Sequence, residues 1–311
     1  MNEITIGIDI SKDCLDVHSL PDGRAMQFPN TAPGFRSLAR HLAGKQVARV
    51  IYEPTGPYHG AFERATTYHL PLVKVNPLQA RRFAQARGTR AKTDAVDARM
   101  LAEMGVAFQL QPDQPQDENQ RILKELQIAR AALIKDQTRL LNRLKTQGLA
   151  VTRRQSKARL TQVKRQLQQI DAEITFQLKH YPAKARAHEI LCSIPGLGAV
   201  SAAAILIEMP EIGTLGRKQV ASLAGLAPVT RQSGQWRGKS FIQGGRKHLR
   251  NALYMPALVA SRYNPDMKVK YNDMTQAGKP AKVALTTLMR KLIELANALI
   301  KANRKWLPKL A

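Results

Sequence analysis

Four acidic side chains in the first hundred residues could do chemistry together. Asp9 interrupts the β-branched run Ile4-Thr5-Ile6-Gly7-Ile8-Asp9-Ile10, where an unpartnered charge is costly to bury. Glu53 ends a second apolar run, Val47 to Tyr52, just before the breaker Pro54-Thr55-Gly56-Pro57. Asp94 and Asp97 stand three apart in Lys92-Thr93-Asp94-Ala95-Val96-Asp97-Ala98-Arg99. On a helix that spacing places both on one face, with Cβ atoms roughly 5–6 Å apart. Each close carboxylate pair repels by about 4 kcal/mol at an effective dielectric of 20. A pair of Mg²⁺ (or Mn²⁺) ions would relieve the repulsion, polarise a phosphodiester and stabilise attacking and leaving oxygens. Taken singly, each acid is more often a cap, a turn former or part of a solvated face than a functional group. Taken together, in the order strand, strand, helix, they favour metal-assisted phosphodiester chemistry. Asp13 and Asp16 read as turn and hairpin residues.

A second candidate lies far along the chain. Ser233 precedes Gly234 and is surrounded in sequence by Arg231, Arg237, Lys239, Arg246, Lys247 and Arg250. A hydroxyl needs activation before it attacks phosphorus, and arginine forks suit the neutralisation of charge on the phosphate. No histidine stands beside Ser233 in sequence. The local motif fits a nucleophile and a turn serine in a phosphate-binding loop equally well. Upstream, Ile194-Pro195-Gly196-Leu197-Gly198 resembles the turn of a helix-hairpin-helix. Gly196 and Gly198 there would let backbone N–H groups approach a phosphate. Arg81, Arg82, Arg87, Arg90 and Lys92, just before the acidic helix, could clamp a nucleic-acid strand.

Composition agrees with a polyanion partner. Lysine and arginine number 49 against 23 acids in 311 residues, a net charge of +26. Such an excess repels itself in a compact fold, and its use is to hold nucleic acid. With 44% hydrophobic residues the chain is no disordered basic tail. No apolar run approaches the roughly 18 residues of a spanning helix, so no membrane partner is expected. Cys14 and Cys192 lack metal-ligand spacing, and a reduced, cytoplasmic, nucleoid-associated protein is expected.

The elements that must position these groups follow from periodicity. Strands are expected at Ile4–Ile10, Cys14–Leu20, Val47–Tyr52 and Leu72–Val75. Helices are expected at Gly34–Leu42, Tyr58–His69, from Leu78, and around Asp94 and Asp97. The opening hairpin makes the sheet mixed, and two strand-end acids facing two helix acids is the layout of an RNase H-like nuclease site. From about Asp117 to Gln147 a proline- and glycine-free stretch places Ile122, Leu126, Ala129, Leu133 and Leu140 in heptad register. After a break at Gly148, Leu160, Val163, Leu167, Ile170 and Ile174 repeat, with Pro182 ending the second helix. An amphipathic helix from Ala281 to about Asn303 closes a mainly helical remainder.

The motifs Gly7-Ile8-Asp9-Ile10-Ser11-Lys12, Glu53-Pro54-Thr55-Gly56-Pro57-Tyr58 and Lys92 to Ala98 resemble those of the DEDD transposases of the insertion-sequence 110 family, related to pilin-gene invertases. So do Ile194 to Gly198, Gly225-Leu226-Ala227-Pro228, Ser233-Gly234 and Gly245 to Arg250. The resemblance implies a RuvC-like domain at 1–115, coiled-coil helices at 116–185 and a C-terminal transposase domain at 186–311. It implies that Asp9, Glu53, Asp94 and Asp97 bind Mg²⁺ and that Ser233 forms a covalent phosphoserine link to DNA. It further implies donor and target DNA as substrates, guidance by a noncoding bridge RNA, and a homodimer or homotetramer whose subunits share a composite site.

Three other readings use parts of the same residues. A RuvC-like endonuclease would use the acids and water, leaving Ser233 idle. A non-catalytic nucleic-acid-binding scaffold would make the acids structural. A tyrosine recombinase using Tyr254 or Tyr263 would leave the acids unexplained.

Overall fold

The computed structural model describes residues 3–54, 56–88, 93–113, 115 and 117–308, and the chain divides into two compact units, Met1–Gln116 and Asp117–Ala311. In the first unit β1 (Ile4–Ile10), β2 (Cys14–Leu20) and β3 (Ala25–Pro29) form an antiparallel meander. After α1 (Ala32–Leu42), β4 (Val47–Tyr52) pairs parallel with β1; after α2 (His59–Thr66), β5 (Leu72–Lys74) pairs parallel with β4. The order β3-β2-β1-β4-β5 is the mixed sheet of an RNase H-like domain, completed by α3 (Pro77–Ala86) and α4 (Asp94–Ala107).

Local chemistry explains most boundaries. The Ser11 hydroxyl donates to the Cys14 carbonyl at 2.9 Å and accepts from the Cys14 N–H at 3.1 Å, closing the β1–β2 turn. Helix α1 starts two residues before Gly34 because Thr31 caps it, accepting from the Gly34 N–H at 3.4 Å. Strand β3 is an addition to the expected elements. It has no β-branched residue, and its half-buried Met26 and Phe28 alternate with exposed neighbours, as on a sheet edge.

Alternation gives the sheet two working faces. Ile6, Ile8, Ile10, Leu15 and Val17 pack with Phe35, Leu38 and Leu42 of α1 and Phe62 of α2. On the other side, Ile51 and Val73 pack with Leu101 and Met104 of α4. Thr5, Gly7 and Asp9 alternate with the three isoleucines and so belong to the α4 side.

In the second unit α5 (Glu118–Thr146) and α6 (Ala150–Lys179) pack against each other along a hairpin broken at Gly148. Leu140 and Ile174 are buried in the expected seam, while Ala129 is exposed. An ion pair from Arg130 Nε to Asp171 Oδ1, at 2.6 Å, ties the two helices. Pro182 does not end α6, which stops at Lys179. It opens α7 (Pro182–Cys192), where its fixed φ and missing N–H suit the first helical position.

α8 (Ala199–Glu208) and α9 (Arg217–Leu223) follow, then four two-residue strands: β6 (Pro228–Val229), β7 (Gln232–Ser233), β8 (Trp236–Arg237) and β9 (Phe241–Ile242). Three helices close the unit: α10 (Lys247–Tyr263), α11 (Pro265–Gln276) and α12 (Ala281–Lys301). Leu123, Ile174 and Leu178 of the long helices share one core with Ile190, Ile205, Leu253, Leu288 and Leu292. Among the described residues no helix is long and apolar enough to cross a membrane.

Candidate active site and nucleic-acid interface

Gly7 sets the position of the acidic group. A Cβ built there would stand 2.0 Å from the Ala98 carbonyl oxygen and 2.5 Å from the Ala102 backbone nitrogen. Helix α4 therefore lies directly on the β1 backbone. Asp9 comes two residues later on the same side of β1, and Asp94 and Asp97 occupy the first turn of α4. Thr93 caps that turn, accepting from the Val96 N–H at 3.3 Å, and the positive end of the helix favours the two aspartates there. Glu53 is the residue immediately past the last registered β1–β4 pair, Ile8 with Tyr52.

These carboxylates act on one another. Burial is the largest cause pushing the Asp9 carboxyl up to about 6, and Asp94, Asp97, Asp16 and Glu53 add to it in that order. The four predicted acids thus belong to one electrostatic neighbourhood, with Asp16 as a fifth member. Asp16 is the cross-strand partner of Asp9, and its Oδ1 accepts from Gln27 Nε2 at 3.0 Å. The hairpin register could have revealed it, since a turn at Ser11-Lys12-Asp13 pairs residue 9 with residue 16.

The donor set is all oxygen, which suits a hard divalent cation such as Mg²⁺ or Mn²⁺. Like charges around a half-buried aspartate are the condition such an ion would relieve. Among the described residues no three His, Cys, Asp or Glu side chains are close enough to hold one metal ion. The acids share a field here without forming a closed coordination shell.

Ser233 stands at the tip of a narrow ribbon. It pairs with Trp236 across the two-residue turn Gly234-Gln235, where Gly234 takes a φ of +55°. The Gly238 N–H donates to the Arg231 carbonyl at 2.9 Å, continuing the pairing. Directly opposed residues of an antiparallel pair share a face, so one face carries Arg231, Ser233, Trp236 and Gly238. Ser233 is exposed, and the Arg231 guanidinium lies 4.9 Å from the centre of the Phe241 ring.

The foot of the ribbon is clamped. A Cβ at Gly245 (φ +63°) would stand 2.2 Å from the Gly225 nitrogen, so two backbones cross there without side chains. Arg250 Nη1 donates to the Gly244 carbonyl at 2.6 Å and the Gly225 carbonyl at 3.3 Å. A cleft of about 400 Å³ beside it is lined by Ile242, Arg250, Asn251, Tyr254, Thr286 and Met289.

The basic residues divide accordingly. Arg246, expected as a phosphate ligand, is held by Glu211 through two bonds of 2.7 and 2.6 Å and also donates to the Glu208 carbonyl at 2.8 Å. This pairing holds the Glu211 carboxyl below its usual range. Arg250 is likewise engaged within the fold, and Arg87 Nη2 donates to Glu103 at 2.8 Å. Sequence proximity to Ser233 or to the acids gives no sign of these partners. Gly196 (φ +105°) is fixed by packing, since a Cβ there would stand 2.8 Å from that of Ala260. Gly198 has open space around it at the start of α8. Arg81, Arg82, Arg231, Arg237, Lys239 and Lys247 are exposed. Arg90 and Lys92 lie outside the described residues.

Comparison with known proteins decides the family. A DEDD-type transposase model of IS110 elements matches residues 6–147, and the model described as "Transposase IS116/IS110/IS902 family" matches residues 188–272. The chain is 30% identical over 321 aligned positions to the pilin gene-inverting protein of Moraxella bovis, covering 98% of both chains. The chain belongs to the IS110 family of transposases. The pilin gene-inverting protein of Moraxella lacunata matches to the same extent. An uncharacterized 43.6 kDa protein of insertion element IS110 from Streptomyces coelicolor is 30% identical over 145 residues, covering 46% of this chain and 35% of that protein. As an IS110-family member the protein is a transposase of the site-specific recombinase type, and DNA is its substrate class. The acidic group falls within the first matched segment and the Ser233 ribbon within the second.

Proposed function

We propose that this transposase cuts and rejoins DNA through a covalent bond to Ser233, assisted by divalent cations held by Asp9, Glu53, Asp94 and Asp97. The observation that carries the reading is the place of Ser233: exposed at the tip of a clamped ribbon, on one face with Arg231. In the first step the Ser233 hydroxyl gives up its proton as Oγ bonds to phosphorus. The bond from phosphorus to one sugar oxygen breaks, and that oxygen takes up a proton, so none is gained or lost overall. Attack by a second sugar hydroxyl on the same phosphorus reverses the step and frees the serine. One phosphoester replaces another throughout, so no nucleotide hydrolysis is required.

Arg231 supplies positive charge on the serine's face of the ribbon, and an arginine fork binds phosphate oxygens in pairs. Arg237, Lys239 and Lys247 hold the flanking backbone, and Arg81 and Arg82 hold nucleic acid at the first unit. Bound Mg²⁺ or Mn²⁺ would supply Lewis-acid polarisation of a phosphoryl oxygen. The resemblance further supports a structured noncoding RNA as guide and a homodimer or homotetramer as the active form. The pilin gene-inverting relatives, matched along nearly the whole chain, favour rearrangement of defined DNA segments over simple hydrolysis.

The test is to incubate the full chain with Mg²⁺, cognate element DNA and the flanking transcript, then resolve products under denaturing conditions. A protein–DNA adduct is expected, and Ser233→Ala should abolish it while leaving DNA binding within about two-fold, since a turn hydroxyl adds little to a phosphate-dominated affinity. An adduct persisting in Ser233→Ala, or free DNA ends formed with no adduct, overturns the serine role. Recombination undiminished without the transcript overturns RNA guidance.

A further inference from the structure

We propose that Trp236 is a stacking platform for an unpaired nucleobase next to the scissile phosphate. The proposal rests on the reading of Ser233 as the reacting residue and adds how the strand is held there. The indole is 60% exposed, and tryptophan, apolar with one N–H, is enriched where a side chain meets a partner. It is nonetheless placed by the fold. A Cβ at Gly238 would stand 2.4 Å from Trp236 Cη2, so the ring lies over a position where any side chain would displace it. Trp236 faces Ser233 in register, and such pairs have Cβ atoms about 5 Å apart on one face of the ribbon.

The chemistry of the occupant follows from the surroundings. Arg231 shares this face of the ribbon, and the opposite face carries exposed Arg237, the partner of Gln232, with exposed Lys239 beyond it. A flat aromatic face on a basic ribbon fits a base attached to a phosphate backbone. Inside an intact duplex both faces of a base are already covered by neighbours, so the platform selects a base that has left the stack. An apolar protein surface would have nothing to pair with the basic side chains that this ribbon carries on both faces.

The protein has two tryptophans, Trp236 and Trp306, which makes the test direct. Full-length protein carrying Ser233→Ala and Trp306→Phe leaves Trp236 as the sole indole and cannot form the adduct. Titration with a twelve-residue oligothymidylate should quench its fluorescence saturably, in step with the anisotropy of a labelled copy of the same probe. In Ser233→Ala protein with the native Trp306, Trp236→Ala should weaken oligothymidylate binding about ten-fold and Trp236→Phe no more than about three-fold, as expected for stacking on one base. Unquenched fluorescence at saturation, or equal affinity of the Trp236→Ala form, overturns the proposal. So does a Trp236→Ala change confined to the oligomeric mass, which would place the indole against protein instead of a base. Because these arms use Ser233→Ala, quenching without any adduct in the native protein would sink the serine reading alone.

Discussion

Gly7 of β1 lies so close to Ala98 of α4 that a Cβ at position 7 would stand 2.0 Å from the Ala98 carbonyl oxygen. The clash is with backbone and cannot be relieved by turning a side chain, so Gly7→Ala must lift α4 from the sheet. Overpacking of this kind costs about 1–3 kcal/mol. The expected result is a clear fall in Tm and a larger proportional loss of Mg²⁺-dependent cleavage, because Asp94 and Asp97 move with the helix. Gly148→Ala, with nothing within 4 Å of the added Cβ, should leave both within error.

Asp9 carries a second prediction, in which function and stability oppose each other. Its carboxyl is raised to about 6 in the folded protein, first by burial and then by Asp94, Asp97, Asp16 and Glu53. A raised acid binds protons more tightly folded than unfolded, so stability falls as pH rises from about 4 through 6. At neutral pH the ionised group costs on the order of 2 kcal/mol, once solvent screening of a half-buried site is discounted. In chelator, acidifying from pH 7.5 to 5.5 should therefore raise the Tm of the parent relative to that of Asp9→Asn, since His18, whose pKa burial lowers, adds the same opposing slope to both. Asp9→Asn should raise Tm at pH 7.5 and abolish Mg²⁺-dependent cleavage. An Asp9→Asn protein less stable than the parent at pH 7.5 would contradict the repulsion argument.

Much of this arrangement is legible in the sequence, and the exceptions share a cause. Asp9 and Glu53 stand out because a charge ends or interrupts an apolar strand, and Asp94 and Asp97 because their spacing matches a helix face. These are local signals. Asp16 reads as a hairpin residue because its partnership with Asp9 is a matter of register across the turn, not of its own neighbours. The close seat of α4 is written as small residues, Ala98 and Ala102 facing Gly7 and Gly105 facing Ile51 and Thr5, a pattern that gains meaning only once helix and sheet are stacked. Strand β3 lacks the residues that announce a strand and exists because β2 offers it an edge. Arg246 and Arg250 group with the phosphate ligands by proximity to Ser233, yet the partner of Arg246 is Glu211, 35 positions away in sequence.

That regrouping makes the last prediction. If Arg246 only fastens the foot of the serine ribbon, its removal should leave unchanged the number of phosphates that the protein neutralises. Each neutralised phosphate contributes about 0.9 to the slope of log K against log salt. Arg246→Ala should therefore lower Tm modestly, since the Glu211 pair is partly exposed and worth about 1 kcal/mol. It should also suppress adduct formation by loosening the ribbon, and keep the salt slope of the parent. Arg237→Ala and Lys239→Ala should do the reverse: an unchanged Tm, and a slope shallower by about one unit for each phosphate left without its cation. A slope that drops for Arg246→Ala would place its guanidinium on DNA and return it to the phosphate ligands. Glu211→Gln separates the two cases further, because it releases Arg246 without removing a positive charge. It should suppress adduct formation if the arginine is a fastener and strengthen DNA binding if the arginine is a phosphate ligand.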